Sequence, residues 1–217
     1  MGLPIVYTAI FGNYDVLLPP LHPGGATWKA YADTGFRAPR PWKVSSHRSH
    51  LRDQRHSRYC KINSHILFPD DEITIWHDGN IQLTRPIQDY VDLLKDGDFA
   101  MLRHSIRSCI YEEAKMCKAY YKAPHERVDA QMRAYREDGF PEEYGLHVAF
   151  IVVRRNTPFT TRLNEAWWKE VNEHTVRDQL SFNYCLWKMG ITIVDIPSTG
   201  RYYKRHRHIV HKRIRYR

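Results

Sequence analysis

Residues 72–80 of the chain are Glu-Ile-Thr-Ile-Trp-His-Asp-Gly-Asn, and they hold the clearest structural signal in the sequence. The apolar, β-branched first half predicts a buried strand over Glu72–Trp76. The second half, His77-Asp78-Gly79-Asn80, consists largely of residues that favour a turn. A buried strand followed at once by an acid-bearing turn is typical of the sheet edge at which α/β proteins bind ligands.

Strand-like and helix-like segments alternate on both sides of this stretch. The predicted strands are Pro4–Phe11, Lys29–Asp33, Trp42–Ser45, Glu72–Trp76, Phe99–Leu102, His147–Val153 and Ile191–Ile196. The predicted helices are His47–His65, Arg85–Lys95, Ser108–Tyr121, His125–Glu137, Pro158–Glu173 and Val176–Lys188. This alternation predicts an α/β fold in which helices cover both faces of a mostly parallel sheet.

The carboxyl ends of parallel strands meet at one edge of a sheet, and ligands bind outside that edge. The segments that follow the predicted strands there are Phe11–Asp15, Asp33, His77–Asn80 and Arg103-His104. The sequence therefore predicts that these segments belong to one site.

The formal net charge of +9 carried by the 217 residues arises from two basic segments and a remainder that carries −6. Residues 201–217 contribute +8 and residues 37–61 contribute +7. We expect one domain over residues 1–200, followed by a basic tail over 201–217 that packs at the active site or binds an anionic partner. A nucleic acid, a membrane surface and a nucleotide all present phosphates, so composition leaves the partner open.

Several protein classes lack support in the sequence. No stretch approaches the roughly 18 apolar residues of a membrane span, and the first residues do not resemble a signal peptide. The four cysteines match no zinc motif and are expected to be reduced. Neither Gly-x-x-x-x-Gly-Lys nor Gly-x-Gly-x-x-Gly occurs. We therefore expect a soluble, cytoplasmic protein without either of these phosphate-binding loops.

The turn at Asp78 and Asn80 has two interpretations. An aspartate followed two residues later by another oxygen-bearing side chain can hold Mg²⁺ or Mn²⁺, leaving positions open for phosphate oxygens. The same residues also form ordinary β-turns. His206 and His208 are either part of a solvated basic strip or close over such a metal ion.

Two further positions combine a structural and a chemical interpretation. Asp178 opens a predicted helix, where it can cap the backbone or aim a carboxylate into the site, to take a proton from an acceptor hydroxyl or to support a developing cation. Gln179 follows it directly. His104 comes at a strand end, where a polar rim residue and a catalytic group are both possible.

Eight motifs, in order along the chain, resemble a known family. They are Val6–Asp15, Arg58–Ile62, Ile75–Ile81, Arg103-His104, Glu112–Ala114, Gly139–Pro141, Leu163–Trp168 and Arg177–Phe182. Together they resemble the glycosyltransferase-like domain family that includes plant proteins implicated in pectic mucilage synthesis and relatives in bacteria and viruses. The resemblance covers roughly residues 4–190.

The resemblance implies a GT-A type, Rossmann-like fold that binds a nucleotide-sugar, most simply a UDP-sugar, with a divalent metal ion. Asp78-Gly79-Asn80 would stand in the place of the Asp-x-Asp metal motif, with Asn80 instead of a second acid. Asp178-Gln179, with Asn183 following, resembles the helix start that lies beside the reacting sugar in glycogenin-like transferases. His206 or His208 would add a late histidine ligand.

The same resemblance assigns expected roles to the remaining candidates. The nucleoside would contact Thr8, Phe11, Tyr14 and Asp33; the diphosphate would contact Arg58, Lys61 and Lys204; and the sugar or acceptor would face His104, Gln179 and Asp178. The acceptor would be a glycan hydroxyl.

Other functions remain open at this point. The basic segments, with Tyr202, Tyr203 and Tyr216 among them, would also suit a nucleic-acid-binding module. The two ideas combine in a transferase that glycosylates modified bases in DNA. A hydrolase is less favoured, because no Gly-x-Ser-x-Gly elbow or His-rich zinc motif occurs.

Overall fold

A computed structural model describes residues 2–12, 14–46, 51, 53–197 and 202–206. The strands are β1 (Ile5–Ile10), β2 (Thr27–Ala32), β3 (Lys43–Ser46), β4 (Ile73–His77), β5 (Ile81–Leu83), β6 (Phe99–Arg103), β7 (His147–Arg155), β8 (Val194–Ile196) and β9 (Tyr203–Arg205). The helices are α1 (Asp53–Ile62), α2 (Ser64–Leu67), α3 (Ile87–Val91), α4 (Ile110–Ala119), α5 (His125–Glu137), α6 (Pro158–Glu173) and α7 (Gln179–Met189). No helix within these ranges is long and apolar enough to cross a membrane.

In the described part of the chain, seven strands form the main sheet, in the order β3-β2-β1-β4-β7-β6-β8. Strand β7 runs antiparallel to both of its neighbours, and every other neighbouring pair is parallel. The carboxyl ends of β1, β2, β4 and β6 therefore meet at one edge, where β7 begins. The predicted α/β fold with a mostly parallel sheet is confirmed.

Alternate residues of β1 face opposite sides of the sheet, as the period of a strand requires. Val6 and Ile10 belong to a core cluster that includes residues of α3 and β5. Ile5, Tyr7 and Ala9 belong to a second cluster with residues of α1, α6 and α7. Helices thus lie on both faces, which is why β1 is buried along its whole length.

A third apolar cluster fixes the start of α7. Leu180, in the first turn of that helix, is fully buried among residues of α4 and α5. Tyr184 stacks on Tyr135 of α5, with ring centroids 3.8 Å apart and planes 7° from parallel. Packing at these two positions holds the amino end of α7 against the rest of the molecule.

Three segments differ from the sequence-based expectation. The helix expected over 47–65 is α1 and α2 in its described part, with Asn63 between them. The helix expected over 85–95 is α3 followed by a 3-10 helix over Asp92–Asp96. Strands β5 and β9 were not expected; they pair with each other, so residues 202–206 pack on the domain. Three-residue strands carry too little periodicity to be recognised before their partners are known.

Candidate active site

A cavity of about 300 Å³ opens at the carboxyl edge of the main sheet. Its lining carries more positive than negative side chains. The basic residues are Arg58, Lys61, Arg103, Arg107, Lys122, Arg177 and Arg205, and the acidic residues are Asp78, Glu113 and Asp178. His104, Gln179, Phe150 and Tyr203 also line it. Such a surface is suited to an anionic ligand.

Lys61 lies at the centre of the charged groups. It is the penultimate residue of α1, and its side chain is only 2% exposed. Its Nζ lies 2.9 Å from Oδ1 of Asp78 and 2.8 Å from Oδ2 of Asp178. One buried ammonium group therefore joins the end of β4 to the start of α7.

Asp78 follows β4 directly and is held on several sides. Its Oδ1 accepts a hydrogen bond from Nε1 of Trp76 at 2.9 Å, and its backbone N–H donates to the carbonyl of Phe150. Burial alone would raise the pKa of Asp78, but the charges of Lys61 and Arg58 outweigh burial and lower it. The carboxylate is therefore ionised at neutral pH, with one oxygen already bonded twice.

Gly79 brings the turn after β4 close to β1. A Cβ at this position would lie 2.9 Å from Cδ1 of Ile10, closer than such atoms normally approach. The glycine thus permits the backbone next to Asp78 to pack closely against Ile10 of β1.

Asp178 combines the two roles that its sequence left open. It caps α7, because its Oδ1 accepts a hydrogen bond from the backbone N–H of Gln179 at 3.1 Å. Its Oδ2 faces Lys61 and lies 3.3 Å from Nε of Arg58. Burial would raise its pKa, but Arg58, Lys61 and Arg177 hold the pKa well below the ordinary value. Asp178 is therefore a structural cap and a permanent charge at the cavity wall.

Arg154 on β7 binds the backbone at the carboxyl end of α1, next to Lys61. The guanidinium group is fully buried and donates to the backbone carbonyls of Lys61 at 2.6 Å and Ile62 at 2.9 Å. It also donates to Asn164 Oδ1 and to the hydroxyl of Tyr7. A cation at the carboxyl end of α1 satisfies carbonyls that the helix leaves free and complements its dipole. Arg154 thereby fixes the position of Lys61.

Three buried nitrogen atoms at the cavity make no well-directed hydrogen bond within the described ranges, although Nε of Arg58 forms an ion pair with Oδ2 of Asp178 at 3.3 Å. They are Nε of Arg58, Nε of Arg177 and Nε2 of Gln179, and all three residues line the cavity. Buried donors are nearly always paired in native proteins, by protein, water or ligand. These atoms therefore mark where oxygen atoms of a ligand would be bound.

His104 lines the cavity but is held by its own loop. Its Nδ1 accepts from the backbone N–H groups of Ile106 at 3.1 Å and Arg107 at 3.0 Å. Arg107 in turn pairs with the buried carboxylate of Glu113. Burial, together with the charge of Arg107, lowers the pKa of His104. The ring is neutral at physiological pH and accepts hydrogen bonds through Nδ1.

The four residues expected around the nucleoside lie at the sheet edge, outside the described cavity lining. Thr8 is buried within β1, and Phe11 stacks on His56 with centroids 3.9 Å apart. Oδ2 of Asp33 accepts from the backbone N–H of Gly12 at 2.6 Å. Tyr14 is half-buried. The structure thus brings Arg58, Lys61, Asp78, His104, Asp178 and Gln179 to one cavity and leaves this group beside it.

Strand β9 contributes a residue that the sequence interpretation overlooked. Lys204, expected at the diphosphate, is exposed and lies outside the described lining, whereas its neighbour Arg205 lines the cavity. The guanidinium of Arg205 lies 4.9 Å from the ring centroid of Phe150. Successive residues of a strand face opposite sides, so recognising β9 would have pointed to one of these two bases. Arg103, Arg107 and Arg177 adjoin predicted site residues, and that proximity was the available signal for them.

The expected metal ligands do not converge in the described residues. Asn80 Nδ2 donates to the backbone carbonyl of His206, whose ring Nε2 lies 3.1 Å from Oε1 of Gln82. His208 lies outside the described residues. Among those described, no group of three His, Cys, Asp or Glu side chains could hold a metal ion. Asp78 is the one carboxylate of the expected set, and Lys61 binds it, so the donor set does not fit a divalent ion.

The family model of the TOD1/MUCI70 glycosyltransferase-like domain matches residues 41–202, which is most of the chain. The chain belongs to this family. The matched range includes Lys61, Asp78 and Asp178, so the charged centre of the cavity lies inside the TOD1/MUCI70 domain. The resemblance inferred from the sequence motifs is confirmed.

A curated relative of this TOD1/MUCI70 domain is the probable hexosyltransferase MUCI70 of Arabidopsis thaliana. It is 28% identical over 141 residues, which cover 60% of this chain and 24% of the plant protein. The chain thus matches about a quarter of the length of that relative.

Among solved structures, the apo structure of the bifunctional glycosyltransferase WbbM is similar, with a TM-score of 0.51. The match covers 84% of this chain and 37% of the WbbM chain at 12% sequence identity. A likeness at this identity concerns the fold, and it places the TOD1/MUCI70 domain in a fold that a glycosyltransferase uses.

Proposed function

We propose that this domain transfers a sugar from a nucleotide-sugar to a hydroxyl group of an acceptor. One observation carries the proposal: a cationic cavity at the carboxyl edge holds buried donors without partners among the described residues. A diphosphate supplies the charge and the oxygen acceptors that such groups require. The family and the fold favour the same activity.

In this proposal the guanidinium groups of Arg58, Arg177 and Arg205 bind the diphosphate. The bond between the anomeric carbon and the phosphate oxygen breaks, and its electron pair leaves with the nucleoside diphosphate. The acceptor oxygen bonds to the anomeric carbon and gives its proton to a released phosphate oxygen or to water. Fixed cations around the leaving group stabilise the charge that develops there.

The carboxylate of Asp178 would face the positive charge that develops on the sugar ring. Its lowered pKa suits an ionised group that stabilises a cation and makes it a weak proton acceptor. Gln179, whose Nε2 is buried without a described acceptor, would bind a sugar hydroxyl or phosphate oxygen. His104 would accept a hydrogen bond from the sugar or the acceptor only after its loop releases Nδ1.

The nucleoside would lie beside the cavity, near Phe11, Tyr14 and Asp33 at the ends of β1 and β2, whereas Thr8 is fully buried within β1 and is left out of this contact. UDP is the first nucleoside diphosphate to test, and a hexose is the first sugar, because the plant relative is described as a probable hexosyltransferase. The acceptor proposed is a glycan hydroxyl. This mechanism uses no metal ion, because Lys61 already binds Asp78, the carboxylate that was expected to be a metal ligand.

Donor hydrolysis tests the proposal without knowledge of the acceptor, because water can take the acceptor's place. The purified chain is incubated with UDP-, GDP-, ADP- and CDP-hexoses, and release of the nucleoside diphosphate is measured. We expect one donor to be hydrolysed by the wild type and to be hydrolysed about 10²-fold more slowly by Asp178→Asn. Asp89→Asn, at an exposed ion pair with Arg85, is the matched control. Absence of hydrolysis of every donor, with or without Mn²⁺, would contradict the proposal.

A nucleic acid is a second candidate for the acceptor, favoured by the charge of +8 on residues 201–217. Phosphate contacts make such binding strongly dependent on salt. Single- and double-stranded DNA are titrated into the wild type and into a variant with Arg213, Arg215 and Arg217 changed to Gln. Weakened binding in the variant would support this candidate, and equal, salt-independent binding would exclude a role for these bases.

A further inference from the structure

The ammonium group of Lys61 occupies the space between the two acids of the cavity. Its Nζ lies 2.9 Å from Asp78 and 2.8 Å from Asp178, and its side chain is almost wholly buried. A buried ion pair with this geometry is a fixed part of the structure, because separating the partners would leave an uncompensated charge. The cation that neutralises these acids is therefore built into the chain.

A divalent ion that bound Oδ1 of Asp78 would compete with two donors that already use this atom. Oδ1 of Asp78 accepts from Lys61 Nζ and from the indole N–H of Trp76. An ion bound to that carboxylate would also lie close to the buried ammonium group of Lys61, and like charges repel each other. Binding of metal through Oδ1 of Asp78 would therefore compete directly with Lys61.

The other expected ligands have separate partners. The amide of Asn80 and the ring of His206 are engaged in the contact between β9 and the turn after β4. The histidine ring contacts the neutral amide of Gln82. These contacts serve the pairing of β5 with β9, which positions Arg205.

The cavity supplies positive charge without a metal ion. Arg177 carries a buried Nε–H group that makes no hydrogen bond among the described atoms, and Arg58, whose Nε forms an ion pair with Asp178 at 3.3 Å, also lines the cavity. Guanidinium groups bind phosphate oxygens through directed hydrogen bonds and are always charged. We propose that the domain binds the diphosphate of its donor without a divalent metal ion, with Lys61 as the fixed counter-ion of Asp78 and Asp178 and with Arg58 and Arg177 on the phosphates. This inference rests on the proposed transferase function.

Calorimetric titration tests metal-free binding separately from the proposed transferase function. UDP, GDP, ADP, CDP and inorganic pyrophosphate are titrated into the wild-type chain in EDTA and then in MnCl₂. We expect at least one of them to bind in EDTA with a Kd within about threefold of the value in Mn²⁺. Binding that requires Mn²⁺ would overturn the metal-free inference and leave the transferase proposal standing. No binding under either condition would overturn both.

A second experiment uses the indole N–H of Trp76 as a local reporter. This group bonds to Asp78, so Mn²⁺ held by that carboxylate would broaden its NMR signal beyond detection. The indole of Trp28, which donates to the carbonyl of Pro23, is the internal control. We expect both signals to persist in Mn²⁺, with and without UDP. Selective loss of the Trp76 signal would contradict the inference.

Replacement of Lys61 provides a gain-of-binding test. In Lys61→Ala the two carboxylates lose their shared counter-ion, and a divalent ion can take its place. We expect this variant to bind Mn²⁺ at least tenfold more tightly than the wild type and to be stabilised against heat by it. Lys118→Ala, which removes an exposed lysine paired with Asp129, is the matched control. Equal affinities of the wild type and Lys61→Ala for Mn²⁺ would count against the inference. If Lys61→Ala does not fold, the calorimetric titration in EDTA and MnCl₂ and the NMR signal of Trp76 test the inference instead.

Discussion

At the scale of single residues, Lys61 connects the two acids that the sequence places 100 positions apart. Its ammonium group replaces the repulsion between Asp78 and Asp178 with two short ion pairs. Both carboxylates are consequently ionised, which is shown by the lowered pKa of each. The cavity therefore keeps a defined charge pattern over the physiological pH range.

The double role of Asp178 can be separated by two substitutions. Asp178→Asn retains an oxygen that can cap α7, whereas Asp178→Ala removes the cap and should lower the free energy of unfolding by about 1 kcal/mol more. Both remove the charge that faces the sugar, so we expect both to reduce donor hydrolysis about 10²-fold. Urea denaturation and hydrolysis assays on the two variants measure the two effects. An active Asp178→Asn would show that Asp178 serves only as a cap.

The lowered pKa of Asp178 predicts how stability depends on pH. Burial opposes the shift, and the charges of Arg58 and Lys61 cause it. Because the folded-state pKa is below the unfolded value of about 3.9, the unfolded chain takes up the proton first as pH falls. The stabilisation is therefore complete at neutral pH and is lost as pH falls through about 4 toward the folded-state pKa.

The comparison of wild type with Asp178→Asn isolates this contribution. Unfolding in urea, followed by tryptophan fluorescence from about pH 7 down to pH 3, should show a smaller loss of stability in the variant. Parallel curves for the two proteins would contradict the assigned pKa shift.

The site residues differed in how far the sequence could identify them. Asp78 and Asp178 stand at an end of a strand and at a start of a helix, so local patterns were sufficient to select them. The ion pairs of Lys61 depend on how α1, β4 and α7 pack, and no local pattern contains that information. The same limit explains why a lysine expected at the phosphates lies instead between the acids.

At the scale of elements, the orientation of β9 determines that Arg205, and not its neighbour Lys204, lines the cavity. Arg205 lines the cavity and Lys204 does not, although the two are exposed neighbours of equal charge. We expect Arg205→Ala to raise the Kd for the bound nucleoside diphosphate about tenfold, which corresponds to about 1.4 kcal/mol. Lys204→Ala should change it by less than about twofold, because its charge lies outside the cavity lining and is screened by salt. Calorimetric titration measures the Kd of both variants. Equal effects would mean that the affinity depends on net charge and not on the position of Arg205.

The carboxyl end of α1 depends on Arg154 of β7. This buried guanidinium donates to the carbonyls of Lys61 and Ile62. We expect Arg154→Met to lower the free energy of unfolding by about 3–5 kcal/mol, because it leaves buried acceptors unpaired. Arg155→Met, at a half-exposed neighbour paired with Glu72, should cost less than about 1 kcal/mol. Similar losses in urea denaturation would contradict the anchoring role of Arg154.

The elements themselves were mostly predictable, for physical reasons. Strand β4 and helices α5 and α6 have apolar residues at a regular period and clear boundaries, so their type followed from the sequence. The antiparallel direction of β7 did not follow, because direction depends on the neighbours and not on the strand's own residues. Strands β5 and β9 are three residues long and depend on pairing with each other and on packing against the core.

At the scale of the whole molecule, the cavity explains only part of the net charge of +9. Its lining concentrates basic side chains at one edge of the sheet, and this concentration distinguishes the edge from an evenly basic surface. The chain matches about a quarter of the length of its plant relative, so the proposals made here concern this domain and not that whole protein.

The most direct test of the account observes three buried side-chain donors of the cavity when a nucleoside diphosphate is added. Side-chain NMR signals of Arg58 Nε–H, Arg177 Nε–H and Gln179 Nε2 are followed while UDP, GDP, ADP or CDP is titrated, with Arg85 as an exposed control. The account predicts that at least one nucleotide shifts all three signals, slows their exchange with water and leaves Arg85 unchanged. If every nucleotide leaves the three signals unchanged, the cavity is not a diphosphate site and the account is wrong.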